Sequence, residues 1–513
     1  MIAPLRWAMS TLLIALICTG ARADGISITP ARMVRIGAVD ERFQSYNIEM
    51  IEVTGGRFWK PYGPRPRGQS VHASENTADA GPKGPADLNS NLYQYRPPID
   101  LTNARLQKLA AALAPAYVRV SGTWANATHF ADSDSAPSPP PGFSATLSHQ
   151  RWQAVIKFSQ TVTAQIVTSF AVSEGTRDAA GVWSPDEARR LLAYTRSVGG
   201  TIAAAEFMNE PNLTVTPGAP AGYDASAYGR DFKIFRSLVK ENFPETIVLG
   251  PGTVGETSLV SDLLAASGPG AVDAVSYHHY GTLSERCGAT SSPEAALSEE
   301  RLSRTDRTLA FYRLLRDRFE PGKAIWLTET AEAACGGNRW DASFLDTFRY
   351  LDQLGRLAKA GVQVVMHNTL AASDYGLLDE KTFSPRPNYW GALLWRRLMG
   401  NVVLDARVPI QMGLHVFAHC QRGTSGGVSL LIINTDRNAP HAFNLSTASE
   451  RYTMDASNLQ DTTVQLNGDA LRLSPQDDLP RIGGVPAAAG IVTFAPATIT
   501  FLTMPEAGNG ACR

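Results

Sequence analysis

Two glutamates carry the chemistry this chain can do. Glu210 stands in "EFMNEPNL", between an asparagine and a proline, and Glu329 stands in "AIWLTETAEAACGG". Two carboxyl groups facing one small volume meet the requirement of glycoside hydrolysis, in which one protonates the leaving oxygen while the other attacks or activates water. Asn209, beside Glu210, could bind a sugar 2-hydroxyl. His278, His279 and Tyr280, in "SYHHY", could donate hydrogen bonds that hold the nucleophile ionised. A solitary glutamate at a strand end is more often a surface ion-pair partner, but two of them, one inside Asn-Glu-Pro, point to catalysis. His278 could equally be a packed structural histidine, and Trp326 and Trp395 read as core or wall rather than as sugar platforms. The cysteines show no C-x-x-C, and the adjacent histidines alternate faces on a strand. Neither metal nor other cofactor is expected.

The elements that must position these residues follow from periodicity. From about Asn47 to Leu370, short β-branched runs alternate with amphipathic helical patterns. The runs are "YNIEMIEV", "AYVRVSGTW", "AQIVTSFAV", "AAAEFMNEP", "TIVLGPG", "VDAVSYHHY", "AIWLTET" and "VQVVMHNTL". Eight units, with no G-x-G-x-x-G after the first strand, predict a (β/α)8 barrel over residues 41–398 rather than an open doubly wound sheet. Glu210 and Glu329 would then end strands four and seven, across the mouth from each other. Ser184, Pro185 and Glu187 read as a capping box opening the helix "SPDEARRLLAYTRSVGG". After "NYWGALLWRRLMGN" the pattern becomes strands alone, and "GISITPARMVRIG" also reads as strand. Residues 24–40 and 399–513 are therefore expected to form a β-sandwich. The Pro-, Gly- and Ser-rich stretches near 55–100 and 131–148 read as loops around the mouth.

The 513 residues are enough for more than one core. A formal net charge of -1, with 44% hydrophobic and 19% charged residues, suggests neither a nucleic-acid nor a membrane partner. Residues 1–23 have the pattern of a secretory signal, with Arg6, an apolar run from about Leu12 to Cys18 and cleavage after Ala23; an uncleaved anchor is the alternative. The mature chain would be secreted or periplasmic and monomeric. Its four cysteines, Cys287, Cys335, Cys420 and Cys512, could form two disulfides in any of three pairings.

Taken in order, "SYNIEM", "LAPAYVRVSGTWAN", "FMNEPN", "SYHHY", "WLTETAEAACGG", "SDYGLLDE" and "SPRPNYWGALLWRRLMG" resemble the heparanase-type β-glucuronidases, family 79 of the glycoside hydrolases. The resemblance covers nearly the whole mature chain. It implies a retaining mechanism with Glu210 as acid/base and Glu329 as nucleophile. It implies that Glu49, where animal heparanases have an aspartate, and Thr123 touch sugar hydroxyls along with Asn209. A glucuronic acid carboxylate would be held by the backbone of Gly336 and Gly337 and by the Tyr375 hydroxyl, an arrangement in keeping with the anion-binding nests that consecutive amides form. It further implies a Cys420–Cys512 disulfide, which leaves Cys287 and Cys335 as the other pair. The expected partner is a glucuronic-acid-containing oligo- or polysaccharide, heparan sulfate or a related glycan, although the basic heparin-binding clusters of the animal enzymes are absent. Alternatives are an exo-acting enzyme on small or plant-type glucuronides, a retaining glycosidase for a neutral sugar, and a non-catalytic glycan-binding protein. The last would be expected to have lost one of the two carboxylates.

Overall fold

The structure, a computed structural model, describes residues 26–62, 92–131, 133–134, 138–213 and 218–513. The expected signal, residues 1–23, and much of the 55–100 stretch lie outside the described residues.

Eight parallel strands close on themselves: β1 (Gln44–Glu49), β2 (Ala116–Ser121), β3 (Ala164–Thr168), β4 (Ile202–Glu206), β5 (Ile247–Val254), β6 (Ala274–Leu283), β7 (Ala324–Ala334) and β8 (Val364–His367). β8 returns to β1, with His367 beside Tyr46. One long helix follows each strand: α1 (Ala104–Ala111), α2 (His149–Thr161), α3 (Asp186–Ser197), α4 (Ala225–Asn242), α5 (Ser258–Ser267), α6 (Arg304–Phe319), α7 (Phe344–Lys359) and α8 (Pro387–Leu398). The strands read as near-continuous apolar runs because helices cover one face and the barrel interior the other. Tyr117, Val167, Leu249, Trp326 and Met366 cluster with one another as part of the packed interior, so Trp326 is core. Trp395 packs against Phe43 and His419.

Three local expectations are corrected. β1 stops at Glu49 because Glu49 and Glu52 cap each other's backbone at the start of a short helix, Met50–Thr54. The Ser184–Glu187 capping box does not form: the Ser184 hydroxyl turns to Asp186 at 2.9 Å, and the Phe130 N–H takes the Glu187 carboxylate. The two mouth stretches also carry short strands. Gly56–Trp59 pairs with Tyr93–Arg96, and Thr128–Phe130 with Ala145–Leu147.

Beyond α8, two sheets face each other as a β-sandwich. The larger runs, in spatial order, Arg35–Ala38, Met399–Leu404, Leu414–Gln421, Val428–Asn434, Thr498–Met504 and Ser449–Asp455 before shorter strands; the smaller is Ile26–Ile28, His441–Leu445 and Gly490–Phe494. Period-2 alternation sorts the larger sheet's residues. Leu414, Val416 and Ala418 enter the sandwich core, whereas Phe417, Leu431 and Phe501 join the barrel's core. They meet α7, in which every residue from Phe344 to Ala358 is buried. Gly355 permits this contact, since a Cβ there would fall 2.3 Å from the Phe417 ring.

Candidate active site

Strand β4 ends at Glu206, and the chain bends before Glu210, whose φ of 48° lies in the left-handed region. That conformation costs a non-glycine residue of order 1–3 kcal/mol. The neighbours impose it: the Glu210 N–H donates to the Gly252 carbonyl at 3.1 Å, and the Asn212 side chain clamps Val254 with bonds of 2.7 and 3.1 Å. Glu329 lies inside β7, which continues to Ala334 alongside β6. Neither glutamate is the last residue of its strand, as the sequence reading had it; one lies beyond the end and the other before it.

One oxygen of each carboxylate and one ring nitrogen of His278 lie within 4.8 Å of one another. His278 Nδ1 is 2.9 Å from Glu210 Oε1 and 3.8 Å from Glu329 Oε2. Both oxygens of Glu329 accept hydrogen bonds, from Arg119 Nη1 at 2.8 Å and from the Tyr280 hydroxyl at 2.6 Å. Asn368 Nδ2 in turn donates to the Tyr280 oxygen at 3.0 Å. These contacts push the two carboxyl groups apart in acidity. Burial, and then the nearby Glu329 charge, raise Glu210 above the usual carboxylate range despite its bond to His278. Burial would raise Glu329 as well, but His278, Arg119 and Tyr280 outweigh it and hold that group low. Two carboxyls at close range whose acidities are pushed in opposite directions have the arrangement that a general acid and a nucleophile require. A divalent cation would fit this trio poorly, because the Arg119 guanidinium already occupies an oxygen of Glu329.

Arg119 and Glu206 also belong to this buried centre, and the sequence reading passed over both. Arg119, 1% exposed, donates to Glu206 Oε2 at 2.9 Å and to Asn209 Oδ1 at 2.8 Å, and it sits 3.3 Å from His278 Nε2. Thr328 donates to the other Glu206 oxygen at 2.8 Å. A signal was present: a lone charge inside each of "AYVRVS" and "AAAEF" must find an opposite charge if both runs are buried strands.

The remaining expected residues divide. Asn209 is buried beside Glu210, its N–H bonded to Asn126 at 2.9 Å. Glu49 reaches the same centre, with its carboxyl over Gly122, where a Cβ would fall 1.6 Å from Oε2. Burial and the Glu329 charge raise it well above the ordinary range. Thr123 follows at the start of a short 3-10 helix, Thr123–Ala127. Gly336 and Gly337, at φ of 80° and 88°, form a tight turn against which Trp59 and Ser373 pack. Tyr375 is 2% exposed, its hydroxyl makes no hydrogen bond among the described residues, and burial with the charges of Glu49 and Glu329 raises it well above its ordinary value. His279 is not brought to the carboxylates. Alternation sends His278 and Tyr280 inward and turns His279 toward α6, where Nδ1 lies 3.1 Å from the Thr308 hydroxyl. Burial and three arginines lower it to about 3, so it stays neutral.

Disulfides join Cys287 to Cys335, with Cα atoms 6.4 Å apart, and Cys420 to Cys512, 5.3 Å apart. The first ties the residue preceding the glycine turn to the loop after β6. A histidine pair at four-residue spacing, His415 and His419, also escaped the sequence reading. Both lie on Leu414–Gln421 but serve separate partners, Asp352 at 2.6 Å and the Gly400 carbonyl at 2.6 Å.

The N-terminal domain of glycosyl hydrolase family 79 matches residues 97–355, half of the chain and all of β2 to β7. The chain belongs to glycosyl hydrolase family 79. It is thus a glycoside hydrolase, and the family 79 match spans both glutamates. Heparanase-like protein 1 of Arabidopsis thaliana is 26% identical over 477 residues, covering 81% of this chain and 86% of the plant protein. Heparanase of Mus musculus is 30% identical over 354 residues, 64% of each chain. In three dimensions, a 4-O-α-L-rhamnosyl-β-D-glucuronidase from Fusarium oxysporum superposes with a TM-score of 0.60 at 14% identity, covering 78% of this chain and 91% of that one. That likeness is one of fold. No helix among the described residues is long and apolar enough to cross a membrane.

Proposed function

We propose that this family 79 chain is an exported, retaining β-glucuronidase acting on glucuronic-acid-containing glycans, with Glu210 as acid/base and Glu329 as nucleophile. The observation that carries the reading is the carboxyl pair itself, with oxygens within 4.8 Å and opposite shifts in acidity. Retaining enzymes hold their carboxyls roughly 5–5.5 Å apart, whereas inverting enzymes need about 6.5–9.5 Å to admit a water. Glu329 attacks the anomeric carbon as Glu210 passes its proton to the departing oxygen. Glu210, now ionised, then takes a proton from water, which attacks the same carbon and releases the sugar with its configuration kept. The Tyr280 and Arg119 bonds hold Glu329 ionised and aimed before the first step. His278 orients Glu210, and Asn209, fixed by Arg119 and Asn126, is placed to meet the 2-hydroxyl.

The choice of a uronic acid is supported by the glycine turn. Among the described residues the Gly336 N–H donates to no acceptor, and the Tyr375 hydroxyl, close to the charges of Glu49 and Glu329, has no partner. Arg286, the nearby cation, is committed to Asp374 at 3.1 Å and to the Lys60 carbonyl at 2.6 Å. The sugar's carboxylate would therefore be held by neutral donors. Two disulfides are in keeping with export to an oxidising compartment. The chain could act within a polysaccharide or on terminal glucuronides, as the mouth loops decide.

Turnover of an aryl β-glucuronide is compared with that of the matching glucoside, and the first-formed anomer is read by NMR. A strong preference for the glucuronide with a β-configured first product is expected. Inverted product removes the retaining assignment, and equal rates on both sugars remove the uronic acid.

A further inference from the structure

Behind the glycine turn lies a carboxyl group that the mechanism does not use. Asp341 is 2% exposed, and among the described residues no side chain donates to either of its carboxyl oxygens. A Cβ on Gly337 would stand 2.7 Å from Asp341 Oδ2, so the carboxyl rests directly against the backbone of the turn. Its surroundings are otherwise charge-balanced. Arg349 on α7 is taken by Asp346 at 2.6 and 2.9 Å; Arg301, on the helix Glu299–Leu302, is taken by Glu332; and Arg286 is taken by Asp374 at 3.1 Å. Asn338 Nδ2 donates to Glu332 at 2.8 Å rather than to Asp341. Among the described residues, these three arginines meet three carboxylates, and Asp341 is the fourth acid.

An ionised carboxylate buried there would be unpaired. It would also repel a second negative charge bound on the other side of the turn. We propose that Asp341 is a positioning residue that stays neutral behind the Gly336–Gly337 turn, and that its loss of a proton expels the sugar's carboxylate, which sets the upper pH limit of uronic-acid recognition. This rests on the glucuronide reading above. Burial and the adjacent Asp346 charge raise the Asp341 carboxyl well above its ordinary range, with the Asn338 N–H and Arg349 offsetting only part of the rise.

The experiment measures kcat and KM for an aryl β-glucuronide and the matching glucoside across the pH range in which the fold is intact, in the wild type and Asp341→Asn. In parallel, the infrared difference between the two proteins reads the protonated-carboxyl band of Asp341. That band is expected at neutral pH. Wild-type KM for the glucuronide should stay level while the band persists and rise roughly ten-fold or more where it disappears, with kcat following the same pH profile in the wild type and in Asp341→Asn. Asp341→Asn should keep KM level throughout, and KM for the glucoside should follow neither change. Absence of the band at neutral pH, its loss without a rise in KM, or the same rise in Asp341→Asn overturns the proposal. Asp341→Ser serves in place of the amide should that variant not fold. Failure to cleave any glucuronide would remove the proposed function instead, while the band still reports on Asp341.

Discussion

The Arg119 guanidinium bridges Glu329 and Glu206, at 2.8 and 2.9 Å, in the interior of the barrel. It neutralises Glu329, the proposed nucleophile, and also fixes Asn209. Replacing it by methionine leaves two buried carboxylates without their cation, which should destabilise the fold by about 3–5 kcal/mol. Removing a cation raises a carboxylate's pKa, so the acidic limb of kcat/KM should move to higher pH in Arg119→Met. Thermal melts and a pH–rate profile check both. An unmoved acidic limb would mean that Arg119 does not help to ionise Glu329.

The opposite shifts of Glu210 and Glu329 give a bell-shaped profile its two limbs. On the proposed roles, Glu329, held low, should set the acidic limb, and Glu210, held high, the alkaline one. Glu210→Gln should remove the alkaline limb yet still glycosylate with an aryl leaving group too good to need an acid, whereas Glu329→Gln should lose turnover of every substrate. Rescue of Glu329→Gln by azide with retained product, and no rescue of Glu210→Gln, would exchange the two roles.

Tyr375 has a hydroxyl that no group among the described residues uses, and on the proposed reading it meets the substrate. Losing one hydrogen bond to a charged group costs roughly 1.5–3 kcal/mol, so Tyr375→Phe should lower kcat/KM for an aryl glucuronide by about ten-fold to over a hundred-fold. The glucoside has no charge to lose and should be nearly unaffected. An equal loss on both sugars would place Tyr375 in the architecture rather than in recognition.

Much of this site could be read from the chain. Eight strand runs and the two glutamates stand out because parallel strands buried on both faces leave unbroken apolar segments, against which Glu210 and Glu329 are conspicuous. Arg119 and Glu206 were just as conspicuous by that argument, but each acquires meaning only once closure brings β2 and β4 to the same interior. His279 was misplaced because adjacency in sequence is opposition on a strand. Nothing local to α7 announces that a sheet lies over its charges.

His415 reports on that covered helix. It bonds Asp352 at 2.6 Å and lies 3.0 Å from Glu299, while Arg356 joins Asp352, Asp306 and Glu299. Burial alone would lower His415, but Asp352 and Glu299 outweigh it and raise it from 6.5 to about 9. A raised histidine stabilises the fold fully below its unfolded pKa, and that contribution disappears as pH climbs through the folded one. On the order of 3 kcal/mol should therefore be lost between about pH 6.5 and 9. Chemical denaturation at stepped pH should show this slope in the wild type and not in His415→Asn.

The two disulfides should separate in function. Cys420–Cys512 closes a span of 92 residues in the sandwich, so replacing both by serine should cost about 2–4 kcal/mol of stability with kcat/KM nearly intact. Cys287–Cys335 borders the glycine turn, and its replacement should raise KM for the glucuronide more than for the glucoside. Matching KM changes on both sugars would detach that bridge from recognition.

A helix with no wet side has consequences for ancestry. Gly355 is shaped to Phe417, and Asp352 is matched to His415, so the barrel of this chain has no finished exterior where α7 runs. A gene fragment encoding the barrel alone would yield a protein with an open wound of apolar and charged atoms. One encoding a foreign sandwich would have to reproduce both matches at once. The two halves are therefore poor currency for shuffling: they must be inherited together, and drift on either side of the seam must be answered on the other.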